Sequence, residues 1–131
     1  MEHILKHQHL VVRAEVNKPP FCPEDIKFWL LNLIDKIGMK VLLGPYAVYS
    51  DMPGNEGLTA VVIIETSHLV LHVWDSKLPG LVQFDCYSCS ELNPSDVLEA
   101  LQVFEPIKVE YSFIDRENNL TILDMKEMNF G

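Results

Sequence analysis

Apolar and polar residues alternate over residues 7–16 (HQHLVVRAEV), the two-residue period of a half-buried strand, and Pro19, Pro20 and Pro23 punctuate its exit. From Pro23 to Ile37 the period changes. Ile26, Trp29, Leu30, Leu33, Ile34 and Ile37 recur at three and four residues, Pro23 suits a first turn and Gly38 a stop, so the segment predicts a helix. Residues 39–50, rich in Val, Leu and Tyr, read as a strand interrupted at Gly44-Pro45, and Met52-Pro53-Gly54-Asn55-Glu56-Gly57 reads as a loop. Residues 58–65 and 68–74 are β-branched or apolar runs free of Gly and Pro, joined around Thr66-Ser67 with almost no loop. A loop over 75–80 leads to another strand at 81–88. Asn93-Pro94-Ser95-Asp96 then opens a second helix with Val97, Leu98, Leu101 and Phe104 as its inner stripe, ended by Pro106. Residues 107–114 alternate as a strand, 115–119 turn, and 120–123 add a short edge strand.

The order β-α-β-β-β-β-α-β clusters its strands between two helices. That favours an α+β two-layer sandwich, a mainly antiparallel sheet with both helices on one face, over a doubly wound parallel sheet. With 131 residues, 48% of them hydrophobic, the chain is expected to form a single domain over 1–131. A net charge of −9 with ten scattered Lys and Arg argues against a nucleic-acid partner. No apolar run approaches a membrane span, and residues 1–9 mix Glu2, Lys6 and three histidines, which is unlike a secretory signal. No membrane partner is expected, and the expected location is the cytoplasm. Cys22, Cys86 and Cys89 make an odd count, so free thiols are expected.

A connection as tight as Thr66-Ser67 without Asn-Gly or Asp-Gly is a local inconsistency, and such inconsistencies concentrate at strained or functional places. A serine in a strained turn can attack the carbonyl of its own preceding peptide, converting amide to ester. Elimination then releases Thr66 as a new C-terminus and leaves residue 67 as dehydroalanine, which hydrolyses to a pyruvoyl group. A terminal carbonyl of that kind can form a Schiff base with an amine substrate and accept electrons from its α-carbon. His72 and Cys89 have the chemistry to manage the protons. Spacing alone does not select this over an ordinary turn serine. Three pairs also look like metal ligands: His7 with His9, His68 with His72, and Cys86 with Cys89. On a strand, however, residues four apart are separated by about 13 Å, and Cys86 and Cys89 point to opposite faces. His7 and His9 share a face, but no metal site is expected.

The central stretch resembles the small prokaryotic S-adenosylmethionine decarboxylases. Their signature is Ser-His, apolar, any, apolar, His, any, Trp, followed later by Asp-x-aromatic-Thr-Cys. Here these are Ser67-His68, Leu69-Val70-Leu71, His72-Val73-Trp74 and Asp85-Cys86-Tyr87-Ser88-Cys89. The preceding Gly57-Leu58-Thr59-Ala60 and its aliphatic run resemble the family's Gly-Val-Ser-Gly, and His9-Leu10-Val11 its first strand. The resemblance implies cleavage between Thr66 and Ser67, with Ser67 becoming a covalent pyruvoyl (pyruvate) cofactor. It implies that His72 and the Thr59 hydroxyl assist processing, and that Cys89 protonates the substrate carbon. It further implies S-adenosylmethionine as substrate, a product that serves as aminopropyl donor for spermidine, and a homodimer of cleaved protomers.

The chain departs from that pattern in three places. Thr66 stands between Glu65 and Ser67, where the family has Glu directly before the serine. After Trp74 comes Asp75-Ser76 instead of Pro-Glu, so Asp75 would hold the ribose diol on a shorter arm. The segment from Trp74 to Cys89 is longer by two residues, with Lys77 and Pro79 in it. Two alternatives follow: a pyruvoyl decarboxylase of ornithine or arginine, and an unprocessed relative that binds a ligand or partner subunit without catalysis.

Overall fold

In a computed structural model, residues 6–130 are described. The elements run β1 (Gln8–Val16), α1 (Pro23–Lys36), β2 (Val41–Ser50), β3 (Gly57–Ile64), β4 (Ser67–Trp74), β5 (Gly80–Ser88), α2 (Pro94–Leu101), a 3-10 turn (Gln102–Phe104), β6 (Pro106–Asp115) and β7 (Thr121–Asn129). All seven strands form one sheet in the order β2-β3-β4-β5-β1-β6-β7, and every neighbouring pair is antiparallel. The first strand therefore lies between β5 and β6, joining two meanders into one surface.

Strict alternation places Leu10, Val12, Ala14 and Val16 of β1 in one buried layer with Leu58, Ala60, Val62 and Ile64 of β3. Leu69, Leu71 and Val73 of β4, Val82, Phe84 and Cys86 of β5, and Val109, Tyr111 and Phe113 of β6 extend it. Onto this layer α1 brings Ile26, Leu30, Leu33 and Ile34, and α2 brings Val97 and Leu101. Each fully buried aliphatic side chain contributes roughly 1.5–3 kcal/mol relative to exposure. Trp29 ties the layers together: its ring meets Phe84 edge-on at 5.4 Å and 81°, and its indole N–H donates to the Ala100 carbonyl at 2.9 Å. The two-layer α+β sandwich is therefore the observed architecture. The opposite face carries His9, Val11 and Arg13, Thr59, Val61 and Ile63, His68, Val70, His72 and Trp74, and Gln83, Asp85 and Tyr87, interleaved with the core positions. Among the described residues no helix covers it.

The element boundaries differ from expectation where the pattern is least periodic. Ile37 is the C-cap of α1, and α2 ends at Leu101, Phe104 being carried by the 3-10 turn. Strand β2 runs through Gly44-Pro45, accommodating it with two shifts of register against β3. The largest difference is at the C-terminus. A short edge strand over 120–123 is expected, whereas β7 extends over nine residues and pairs along β6 from Thr121 to Asn129. Its side chains are mostly exposed, so hydrophobic alternation carries no signal there and backbone pairing sets its length. Tyr111 strengthens the pairing by donating its hydroxyl to Asp124 at 2.6 Å.

Gly57 packs directly against the end of β4, where a Cβ would lie 1.7 Å from the Val73 carbonyl oxygen. Gly57→Ala is expected to destabilise by more than the ~1–3 kcal/mol typical of overpacking, as read by urea unfolding. Gly54→Ala meets no atom within 4 Å and should cost only the backbone penalty of its positive φ, about 1–2 kcal/mol.

Candidate active site

Antiparallel pairing of Ile64 with Ser67 leaves only Glu65 and Thr66 to reverse the chain between β3 and β4. Thr66 takes the left-handed conformation (φ 53°), normally occupied by glycine or asparagine. A β-branched residue there carries backbone strain of the order of 1–3 kcal/mol, at the residue directly before Ser67. The Thr66 hydroxyl donates to the Glu65 carbonyl at 2.8 Å. Ser67 opens β4 with its side chain on the core side and is buried. Its Oγ accepts the Cys89 backbone N–H at 2.8 Å, and the Cys89 thiol donates to the Glu65 carbonyl at 3.2 Å. Cys89 follows the last residue of β5, and pairing of β5 with β4 is what delivers it to the turn. Thr66, Ser67 and Cys89 therefore form one cluster.

His72 is elsewhere. It lies five positions from Ser67 along β4, about 16 Å away, and the odd spacing sends its ring to the open face while Ser67 faces the core. Thr59 is its cross-strand partner, with Oγ1 3.1 Å from His72 Nδ1. The Trp74 ring stands 6.1 Å from that of His72, and its N–H donates to Asn55 at 2.8 Å. Asp75 lies just past the strand end and accepts the Tyr49 hydroxyl at 2.8 Å. That hydrogen bond, then desolvation and the nearby charges of Asp75, Glu56 and Asp51, raise the Tyr49 pKa. Thr59, His72, Trp74 and Asp75 thus form a second cluster at the opposite end of β4. Within one chain, Ser67 and Asp75 are about 26 Å apart along the strand, too far to touch the same small substrate. Among the described residues, no hydrogen bond joins Ser67 to a general base.

A third group was not legible in the sequence. His9, Asp85 and His68 project from adjacent strands β1, β5 and β4 onto the open face. Asp85 Oδ1 is hydrogen-bonded to His9 Nε2 and lies 3.3 Å from His68 Nε2. Burial acts to raise the Asp85 pKa, but the hydrogen bond and charge of His9, aided by His68, bring it below the ordinary carboxylate value. Arg116 lies 4.0 Å over the Tyr87 ring, with one guanidinium nitrogen 3.4 Å from His9 Nδ1. Thr66, Ser67, His68, Tyr87 and Arg116 share a depression of about 530 Å³. Its histidine, arginine and tyrosine come from positions separated by up to fifty residues, and only the sheet order brings them together.

These positions fall on a sequence that matches a family of enzymes acting on S-adenosylmethionine. The profile described as S-adenosylmethionine decarboxylase matches residues 21–117, and the chain belongs to that family. Comparison with curated proteins returns no match. Among solved structures, a phage SAM lyase in complex with S-methyl-5'-thioadenosine is a distant likeness, with a TM-score of 0.45 and 12% identity over 99% of this chain and 95% of that one. No helix among the described residues is long and apolar enough to cross a membrane.

The three thiols differ sharply in environment. Burial pushes the Cys86 thiol up to about 12, with a smaller contribution from Asp85, whereas Cys22 and Cys89 are partly exposed. Maleimide labelling of the native protein at neutral pH should modify Cys22 and Cys89 and spare Cys86 until denaturant is added, as mapped by peptide mass.

Proposed function

We propose that this chain is a pyruvoyl-dependent S-adenosylmethionine decarboxylase that makes its cofactor by serinolysis at Ser67 and supplies the aminopropyl donor for spermidine synthesis. The observation that carries the reading is the buried Ser67 hydroxyl, placed directly after a β-branched residue held at positive φ and accepting the Cys89 backbone N–H. Ser67 Oγ attacks the Thr66 carbonyl carbon, and the peptide C–N bond breaks to give an ester and a free amine. Loss of the Ser67 α-proton then expels the Thr66 carboxylate, and addition of water with release of ammonia leaves the keto group. The residues present fit such a group: it would occupy the Ser67 position, with the Cys89 N–H directed at it, and would supply an electron sink for decarboxylation. Cys89, whose sulfur borders the same turn, is the proton donor to the carbon left by carbon dioxide.

The separation of the two clusters supports a homodimer. His72, Thr59 and Asp75 lie too far along β4 to serve Ser67 of their own chain, so in this reading two copies associate and each supplies its Ser67–Cys89 cluster to the other's His72–Asp75 cluster. Exposed Val11, Tyr46, Val48 and Ile63 give the open sheet face apolar area that favours such association. His72, hydrogen-bonded to Thr59, then manages the proton of the partner's serinolysis, and Asp75 and Trp74 hold the nucleoside end of the substrate.

Intact-mass analysis should show two fragments divided between Thr66 and Ser67, and Ser67→Ala should remain a single chain. An uncut wild-type chain after prolonged incubation rejects the cofactor and favours the unprocessed relative. Cys89→Ala should still cleave while losing roughly 10²–10⁴-fold in kcat. Carbon dioxide release from carboxyl-labelled S-adenosylmethionine, compared with ornithine and arginine, identifies the substrate.

Shared sites make a separate prediction. Ser67→Ala and His72→Ala are each expected to be inactive alone. Co-expressed, they should yield mixed dimers in which the His72→Ala chain is cleaved and activity returns. Absence of both places the whole site within one chain.

A further inference from the structure

We propose that His9, His68 and Asp85 form a three-ligand site for a first-row divalent metal ion, with zinc(II) the best match. The donors come from three adjacent strands of a continuous antiparallel ladder, with the carboxylate on the middle strand and an imidazole on either side. One ligand atom from each residue lies within 4.8 Å of the others. Zinc–nitrogen and zinc–oxygen bonds near 2.0 Å place tetrahedral ligands about 3.3 Å apart, a separation within the 4.8 Å that these donor atoms already span.

The rings are held in place. The Tyr87 ring stands 5.6 Å from that of His9 and 5.7 Å from that of His68, and the His9 side chain is only 16% exposed. Two imidazoles and one carboxylate are a donor set of borderline divalent ions and leave at least one coordination position free. Because His68 lines the same depression as Ser67 and Thr66, that position is available to water or to an oxygen ligand bound there. A net charge of −9 favours cation binding.

The present hydrogen bonds also say what must change. His9 Nε2 now faces the carboxylate and Nδ1 faces Arg116. Binding metal through Nε2 puts the proton on Nδ1, so the exposed Arg116 guanidinium swings away. The site stands whether or not Ser67 is processed.

The test uses the full chain, freed of metal with a chelator and titrated with zinc(II) by calorimetry and with cobalt(II) by absorption. One equivalent should bind, with cobalt giving the visible bands of nitrogen and oxygen ligation. His9→Gln and Asp85→Asn should each weaken zinc binding by about tenfold or more while retaining cooperative unfolding. The double variant His3→Gln/His7→Gln, which removes the remaining N-terminal imidazoles, should bind as the wild type does. Three results overturn the proposal: no saturable binding, loss of binding only in the His3/His7 variant, or a thiolate-to-cobalt charge-transfer band. If Asp85→Asn fails to fold, His9→Gln together with the cobalt spectrum decides the matter.

Discussion

The antiparallel register between β3 and β4, closed by the two-residue turn at Glu65 and Thr66, is the constraint on which the rest depends. Pairing Ile64 with Ser67 leaves no slack, so Thr66 is forced into the left-handed region and Ser67 faces the core. A slip of one residue would exchange every inward and outward side chain of β4, placing His68 in the core and Leu69 in solvent. The leucines at 69 and 71 and Val73 oppose that slip, because each is almost wholly buried. Hydrophobic burial along the strand therefore supports a residue of strained φ just before its beginning. The turn at Thr66 is where local propensity yields to tertiary packing.

The same alternation divides the chemistry between two faces. Ser67 belongs to the helix-covered layer, reached at its rim by Cys89, while His68, His72 and Trp74 belong to the open face. A sheet with helices on both faces would bury those polar rings at considerable desolvation cost. Covering one face alone leaves a broad surface where imidazoles, Asp85 and Arg116 stay partly solvated. The distance between the Ser67 and His72 clusters follows from strand rise alone. The acidic balance of the chain, by contrast, has no part in fold or register.

Much of the architecture was legible because most segments carry a clean period. The three-and-four spacing from Ile26 to Ile34 marks α1, and alternation marks β1 and β6. Strand β7 was under-read since Asp124, Lys126 and Glu127 leave no apolar face to detect, and its pairing rests on backbone hydrogen bonds that sequence does not display. Ser67, Cys89, Thr59 and His72 were legible as a linear motif resembling a family, and the family assignment over residues 21–117 agrees with it. Their grouping was not. Linear order puts His72 nearer Ser67 than Cys89 is, and the fold reverses this, because adjacency in an antiparallel sheet runs across strands.

The sequence alone determined the local periods, the sandwich class, the free thiols and the tight connection at Thr66-Ser67, since these depend on residue type and short-range spacing. The tertiary structure decided which side chains meet. Placing β1 between β5 and β6 brought His9 to Asp85, and pairing β4 with β5 brought Cys89 to Ser67. Those contacts join residues 76 and 22 positions apart. Such distant pairs depend on strand order and register, which are selected by burial of the whole core.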